Sequence, residues 1–285
     1  MTAMNVTTEQ LVRIITEEIL RVTGGDAGTV AETVRLAVGD RGAADRRAEN
    51  AASDPEELQE LKDSTSARVG IGRCGPRMKT SELLKFRADH AAARDAVQNG
   101  VNEELLSRMG LFAVSSLCAD ENEYLTRPDH GRVLSEDSIR ILKERCVHAP
   151  QIQIFAAGGL SSVAIEANLE TILPILTDSL TAKGYRLGTP FYVRYGRVGI
   201  EDAVSAVLDA EVVCVLIGER PGLMTAESMS AYIAYRATPN MPESRRTVVS
   251  NIHKGGTAAA EAGAYVADVI EQIYNAKASG VELKR

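Results

Sequence analysis

The chain has 285 residues, 45% hydrophobic and 25% charged, with a formal net charge of -7 and no tryptophan. This composition predicts a globular protein whose core is filled by Leu, Ile, Val and Ala, and the acidic balance argues against a nucleic-acid binder, which carries a basic footprint. No apolar run approaches the roughly 18 residues that span a bilayer and no signal peptide opens the chain, so the reading is a cytoplasmic protein without membrane contact. Cys74, Cys118, Cys146 and Cys214 show no C-x-x-C spacing and read as free thiols, Cys214 as packing inside an apolar strand.

Thr7 and Gln10 make a capping box, with Val6 and Leu11 as its hydrophobic staple. Leu11, Ile14, Ile15, Ile19 and Val22 then share one helical face, and Gly24-Gly25 ends the helix. From Gly24 to Ser53 the chain is rich in Ala, Gly, Asp and Arg and reads as a linker. A tethered amphipathic helix cannot bury its stripe within its own segment. It must dock, either on the chain's own body or a sister subunit, or else as a targeting tag.

Asp54-Pro55-Glu56-Glu57 supplies an N-cap, a proline at the first helical position and an acidic first turn for a helix near 55–63. Gly70-x-Gly72-x-x-Gly75 matches the dinucleotide fingerprint as text. No apolar strand precedes it and Pro76 follows it, so it is not read as a nucleotide loop. A long helix near 81–99 carries Asp89, His90, Arg94 and Asp95, a salt-bridged face. Leu111 to Val114 suits a short strand, Tyr124 to Asp129 a turn, and Ser135 caps a helix reaching about Cys146.

From Gln151 a βα rhythm sets in. Strands are predicted at Ile152–Ala157, Phe191–Tyr195 and Val212–Ile217, with further candidates at Tyr232–Tyr235 and Thr247–Ser250. Helices are predicted at Val163–Lys183, bent by Pro174, at Ile200–Leu208 and at about Thr257–Lys277. The expectation is an α/β protein: a Rossmann-like parallel sheet with flanking helices over 150–285. A helical arm and interface region over 54–149 precedes it, and the tethered amphipathic helix and linker occupy 1–53.

Ligands of open α/β sheets bind where strands run out into loops. Four glycine-bearing loops fall at that carboxyl edge: Gly158–Ser162, Gly196–Val198, Gly218–Gly222 and Asn251–Gly256. Their polar groups are Arg194, Arg197, Glu219, Arg220, His253 and Lys254. There is no nucleophile–base pair, no Cys/His metal set and no P-loop. The edge reads as a binding surface without catalytic residues of its own, the alternative being that these charges simply pair with one another.

Several blocks occur in a telling order between about Arg68 and Arg285. They are Gly72-Arg73-Cys74-Gly75-Pro76-Arg77, Ala88-Asp89-His90-Ala91, Tyr124-Leu125-Thr126-Arg127-Pro128-Asp129, Thr189 to Asp202, Val215 to Leu223, and Ser250-Asn251-Ile252-His253-Lys254-Gly255-Gly256. In these the chain resembles the small (light) chain of ethanolamine ammonia-lyase. The resemblance implies a subunit of a hetero-oligomeric, adenosylcobalamin-dependent enzyme that converts ethanolamine to acetaldehyde and ammonia by a radical mechanism. It implies a TIM-barrel large chain carrying substrate and chemistry, with this chain cradling the cobalamin. The implied cofactor contacts are Val198, Glu219 and Val248, with no metal ligand, because the cofactor's own base ligates cobalt. Asn251-x-His253-x-x-Gly256 has the spacing by which other cobalamin enzymes supply a histidine to cobalt, but Asn replaces the carboxylate that would fix the ring. His253 is therefore read as a loop-positioning or interface residue. Departures from the family pattern are Gly158 where Asp is usual, Met224 where Gly is usual, and Val248 where some relatives have Cys. Relatives carry an amphipathic helix near the N-terminus that directs the enzyme into a bacterial microcompartment, a role the stripe from Leu11 to Val22 suits. The competing expectations are a nucleotide-binding Rossmann-like enzyme and a non-catalytic assembly or targeting protein.

Overall fold

The computed structural model describes Glu17, residues 55–65 and residues 67–284. Of the expected amphipathic helix at 7–22 only Glu17 falls among them, and the linker to Ser53 lies outside. The chain divides into two compact units, Met1–Arg87 and Ala88–Arg285. In the first, Pro55–Ser64 forms helix α1, with Glu56 and Glu57 in its first turn and Lys62 in its last, as the helix dipole favours. The glycine fingerprint that follows is part of a small hairpin, β1 (Arg73–Cys74) against β2 (Arg77–Met78). Gly75 sits in its tight turn at φ +60°, a conformation glycine adopts without strain. Helix α2 (Thr80–Gln98) carries the chain into the second unit.

The second unit is built on one six-stranded sheet. In chain order its elements are α3 (Glu103–Arg108), β3 (Ala113–Ser115), α4 (Glu121–Thr126), α5 (Glu136–Arg145), β4 (Ile152–Ala157), α6 (Ser162–Ala182), β5 (Tyr192–Arg194), α7 (Ile200–Leu208), β6 (Val212–Gly218), β7 (Met229–Tyr235), β8 (Thr247–Ile252) and α8 (Ala259–Ala276). The strand order is β3-β5-β4-β6-β7-β8. The first four strands are parallel, β4 and β6 running in register from Ile152↔Val212 to Ala157↔Ile217.

The expected wholly parallel sheet is corrected at its far side. β7 runs antiparallel to β6, and β8 antiparallel to β7. Connection length explains it: residues 219–228 hold no helix, and a parallel return needs a crossover of roughly a dozen or more residues. Tyr124 is also not in a turn. Asp120 caps α4 by accepting the Glu123 amide, so Tyr124 lies within that helix.

The sheet is apolar on both faces because successive side chains alternate. Ile152, Ile154 and Ala156 of β4 and Val212, Cys214 and Leu216 of β6 pack with α6 and α8. Phe155, Ala157, Val213, Val215 and Ile217 pack with α5 and α7 on the other side. All four cysteines are free thiols, and Cys214 is wholly buried.

Candidate functional site

The two crossovers decide where a site can form. From β4 the chain leaves across one face through α6, and from the neighbouring β5 it leaves across the other through α7. Adjacent strands whose connections part to opposite faces open a crevice at their carboxyl ends. A cleft with two lobes lies there, and Tyr124 and Gly159 line both.

The outer lobe has a volume of about 360 Å³ and is walled by Leu160, Arg197, Val198, Ile217, Gly218, Glu219, Arg220 and Tyr232. Three of the four predicted loops meet in it. The fourth, Asn251–Gly256, reaches the same edge through the register Gly218↔Met229↔Ile252 but does not line it. Val198 and Glu219 both line this lobe. Val248 stands beside them: it pairs with Tyr232 across β7 and β8, shares that residue's face, and is 48% exposed.

Glu219 and Arg197 of the outer lobe are fixed by neutral neighbours. Ser228 donates to Glu219 Oε2 at 2.8 Å and Ser230 donates to its Oε1. Arg197 donates through Nη2 to the Tyr124 carbonyl at 2.6 Å, and its guanidinium lies 4.1 Å above the Tyr124 ring. Its backbone amide donates to the Gly131 carbonyl at 2.8 Å, and a Cβ on Gly131 would meet Arg197 Cγ at 2.6 Å. The block Tyr124 to Gly131, which shows no chemistry in the sequence, is the buttress of the Val198 loop. Arg194 departs from the cluster and pairs with Glu103 at 2.5 Å. The predicted loop charges are therefore not spent on each other.

His253 keeps both ring nitrogens within its own loop. The Gly255 amide donates to Nδ1 at 3.0 Å, leaving the ring hydrogen on Nε2, which donates to Asn251 Oδ1 at 2.8 Å. Two departures from the family pattern acquire a geometry. Gly158 faces Tyr192, whose hydroxyl oxygen lies 2.6 Å from where a Cβ would sit. Met224 is 57% exposed, and the Gly222 amide closes the turn by donating to the Thr225 carbonyl at 3.0 Å.

Behind the outer lobe lies a buried ionic cluster that sequence reading missed. Arg246, just before β8, grips Asp202 of α7 with two hydrogen bonds of 2.9 and 3.1 Å, and also reaches Glu243 at 2.8 Å and Glu201 at 3.3 Å. It ties β8 to the first turn of the helix that follows the Val198 loop. Burial pushes the Glu201 carboxyl up to about 8 from its ordinary 4.5, Arg246 opposing and Asp202 adding to the rise. A folded-state value above the unfolded one gives stability that is complete below the unfolded value and lost as pH rises through the folded one. Unfolding free energy is thus expected to fall between about pH 5 and pH 8, by at most ~1.4 kcal/mol per pH unit from this group. In urea titrations across that range, Glu201→Gln is expected to remove this slope; an unchanged slope would assign it elsewhere.

Comparison with known proteins places the sequence in one family. Residues 55–284 match the family model described as ethanolamine ammonia-lyase light chain (EutC). The chain is 56% identical over 233 residues to a protein of Fusobacterium nucleatum named ethanolamine ammonia-lyase small subunit, covering 82% of this chain and 79% of that one. Small subunits of the same name from Clostridium tetani and Clostridium acetobutylicum are 54% and 48% identical over 229 residues, covering 80% of this chain and 78% and 95% of theirs.

Proposed function

Because this chain belongs to the light-chain family of ethanolamine ammonia-lyase, and is so one subunit of a two-chain lyase, we propose that its cleft forms one wall of an adenosylcobalamin site completed by the large chain. The cofactor would supply radical chemistry to that chain. The residues present fit one face of such a group. Leu160, Val198, Ile217 and Tyr232 give the outer lobe an apolar floor for a corrin face. Gly159 and Gly218 let backbone approach closely. Glu219, held by two serine hydroxyls, accepts a hydrogen bond from an amide N–H of the corrin rim. Val248 adds an exposed apolar contact on the same face. A lobe of about 360 Å³ holds only part of a corrinoid, which is why a second polypeptide has to close it.

The observation that carries this reading is the convergence of Val198 and Glu219 on one open lobe. Their work is binding, orientation and exclusion of water, not proton transfer. Purified complex with the large chain is expected to retain corrin absorbance and to release acetaldehyde from ethanolamine; a verified complex that binds no corrin overturns the reading. Glu219→Gln keeps the shape but removes a charged acceptor, and is expected to weaken cobalamin retention about tenfold in equilibrium dialysis. We also infer from the Leu11–Val22 stripe that the N-terminal segment directs the enzyme into a microcompartment. Deleting residues 1–25 is then expected to leave turnover intact and change location alone.

A further inference from the structure

The inner lobe of the cleft shares only Tyr124 and Gly159 with the outer one, and its other residues have no part in the contacts proposed so far. Its volume is about 260 Å³, and Glu103, Glu121, Tyr124, Gly158, Tyr192 and Arg194 are among its lining residues. Among the described residues, five buried side-chain polar atoms make no hydrogen bond. Three of them belong to residues of this cleft: Glu121 Oε1, Tyr124 Oη and Arg197 Nε. Glu121 and Tyr124 stand three residues apart on α4, on one face of the helix, and both line the inner lobe. Tyr124 is only 2% exposed, and Arg197 stacked on its ring holds it in place. Polar atoms shut from water without partners are destabilising and uncommon in native proteins, so each calls for an explanation.

We propose that the inner lobe takes a primary carboxamide arm of the corrinoid, with Glu121 accepting its N–H and Tyr124 donating to its carbonyl oxygen. This rests on the corrinoid reading of the outer lobe and extends it to a second set of residues. The chemistry of the lobe selects the ligand class. Its cation, Arg194, is already engaged by Glu103, which disfavours an anionic arm such as a phosphate. Burial, with the nearby Asp120 charge adding, pushes the Glu121 carboxyl up, so the lobe favours a neutral partner over a second charge. A carboxamide presents N–H donors and a carbonyl acceptor in one planar group. Such a group complements a carboxyl oxygen and a hydroxyl that both lack partners, on two residues lining one lobe.

The test uses the complex with the large chain and equilibrium dialysis against cyanocobalamin, read by corrin absorbance. Glu121→Ala and Tyr124→Phe are each expected to raise the dissociation constant by about three- to tenfold. The Glu121→Ala subunit should melt no lower than the parent, since one oxygen of that half-buried carboxyl is shut from water without a partner. Cyanocobalamin derivatives with one side-chain amide hydrolysed to the acid give a second readout that needs no fragile variant. One of them should bind the unmodified complex at least tenfold more weakly, and Glu121→Ala should erase that difference. If both variants retain cyanocobalamin like the parent while Glu219→Gln loses it, the inner-lobe assignment is wrong and the outer-lobe reading stands. If the unmodified complex retains no corrin, the underlying reading falls and this one with it.

Discussion

Replacing Arg246 with alanine is expected to destabilise the subunit by about 3–5 kcal/mol in urea denaturation at pH 7, the range found when one partner of a buried ion pair is removed. The guanidinium side chain is 2% exposed and its partner carboxylate Asp202 only 11%. Truncation therefore leaves an anion in the core with no cation to meet it, and the desolvation cost of that anion is no longer offset. Replacing Arg246 and Asp202 together by Met and Leu should recover most of the loss, because a packed apolar pair is often as stable as a buried ionic one. A loss below 1 kcal/mol for the single change would mean that water reaches the cluster. The consequence extends to the site. Arg246 links the start of β8, which carries Val248, to α7, which follows Val198, so the cleft wall should slacken along with the fold.

That cluster was not legible in the sequence, and the reason is physical. Glu201 and Asp202 fall in the first turn of a helix, where acidic residues are already explained by the helix dipole. Arg245-Arg246 carries no local signal that one of the pair is buried. Only the return of β8 toward α7 buries them together. The strands and helices around the cleft were legible because their signals are local. Ile152–Ala157 and Ile200–Leu208 stand where apolar periodicity puts them. Strand direction was not local: the apolar run of β7 looks the same either way, and the missing helix between Gly218 and Met229 was the available clue. β7 also begins before its expected start at Tyr232. Ser230 reads as a loop residue, yet its hydroxyl binds Glu219 from within the strand.

Half of the candidate site followed the same logic. Val198 and Glu219 lie in glycine loops directly after parallel strands, where topology alone directs a ligand. Glu121 and Tyr124 come from a short helix far upstream in the chain and reach the cleft only through tertiary packing. Pro128 biases the reading of their segment toward a turn, whereas the Asp120 cap makes a helix of it. The resemblance did draw attention to Tyr124 as part of a block, but gave it no chemistry. Its contact with Arg197 supplies the reason the block sits where it does.

Gly159→Ala is the change expected to damage the cleft most directly. Gly159 has φ +61°, and an added Cβ would fall on the Gly218 carbonyl oxygen and lie 2.6 Å from Ile217 Cγ1. Left-handed backbone costs a residue with a Cβ about 1–2 kcal/mol, and overpacking against backbone adds about 1–3 kcal/mol. A combined loss of roughly 2–5 kcal/mol is expected in thermal or urea unfolding. The first obstacle is main chain, with the Gly218 amide nitrogen 3.0 Å away beside it, and the second is the β-branched side chain of buried Ile217, which has little room to turn aside. Gly159 lines both lobes, and the Leu160 amide donates to the Gly218 carbonyl at 3.1 Å. Separating those loops should therefore reduce cobalamin retention by the complex at least tenfold, beyond any loss of folded subunit. Gly222→Ala is the matched control on the neighbouring loop, since its Cβ would meet nothing closer than 3.9 Å. Its stability should stay within about 0.5 kcal/mol of the parent, as for a surface change away from special features. Equal melting temperatures for Gly159→Ala and Gly222→Ala would show that the β4 and β6 loops do not press together as described. Normal stability with lost cobalamin retention would instead locate the close approach between Gly159 and the cofactor itself.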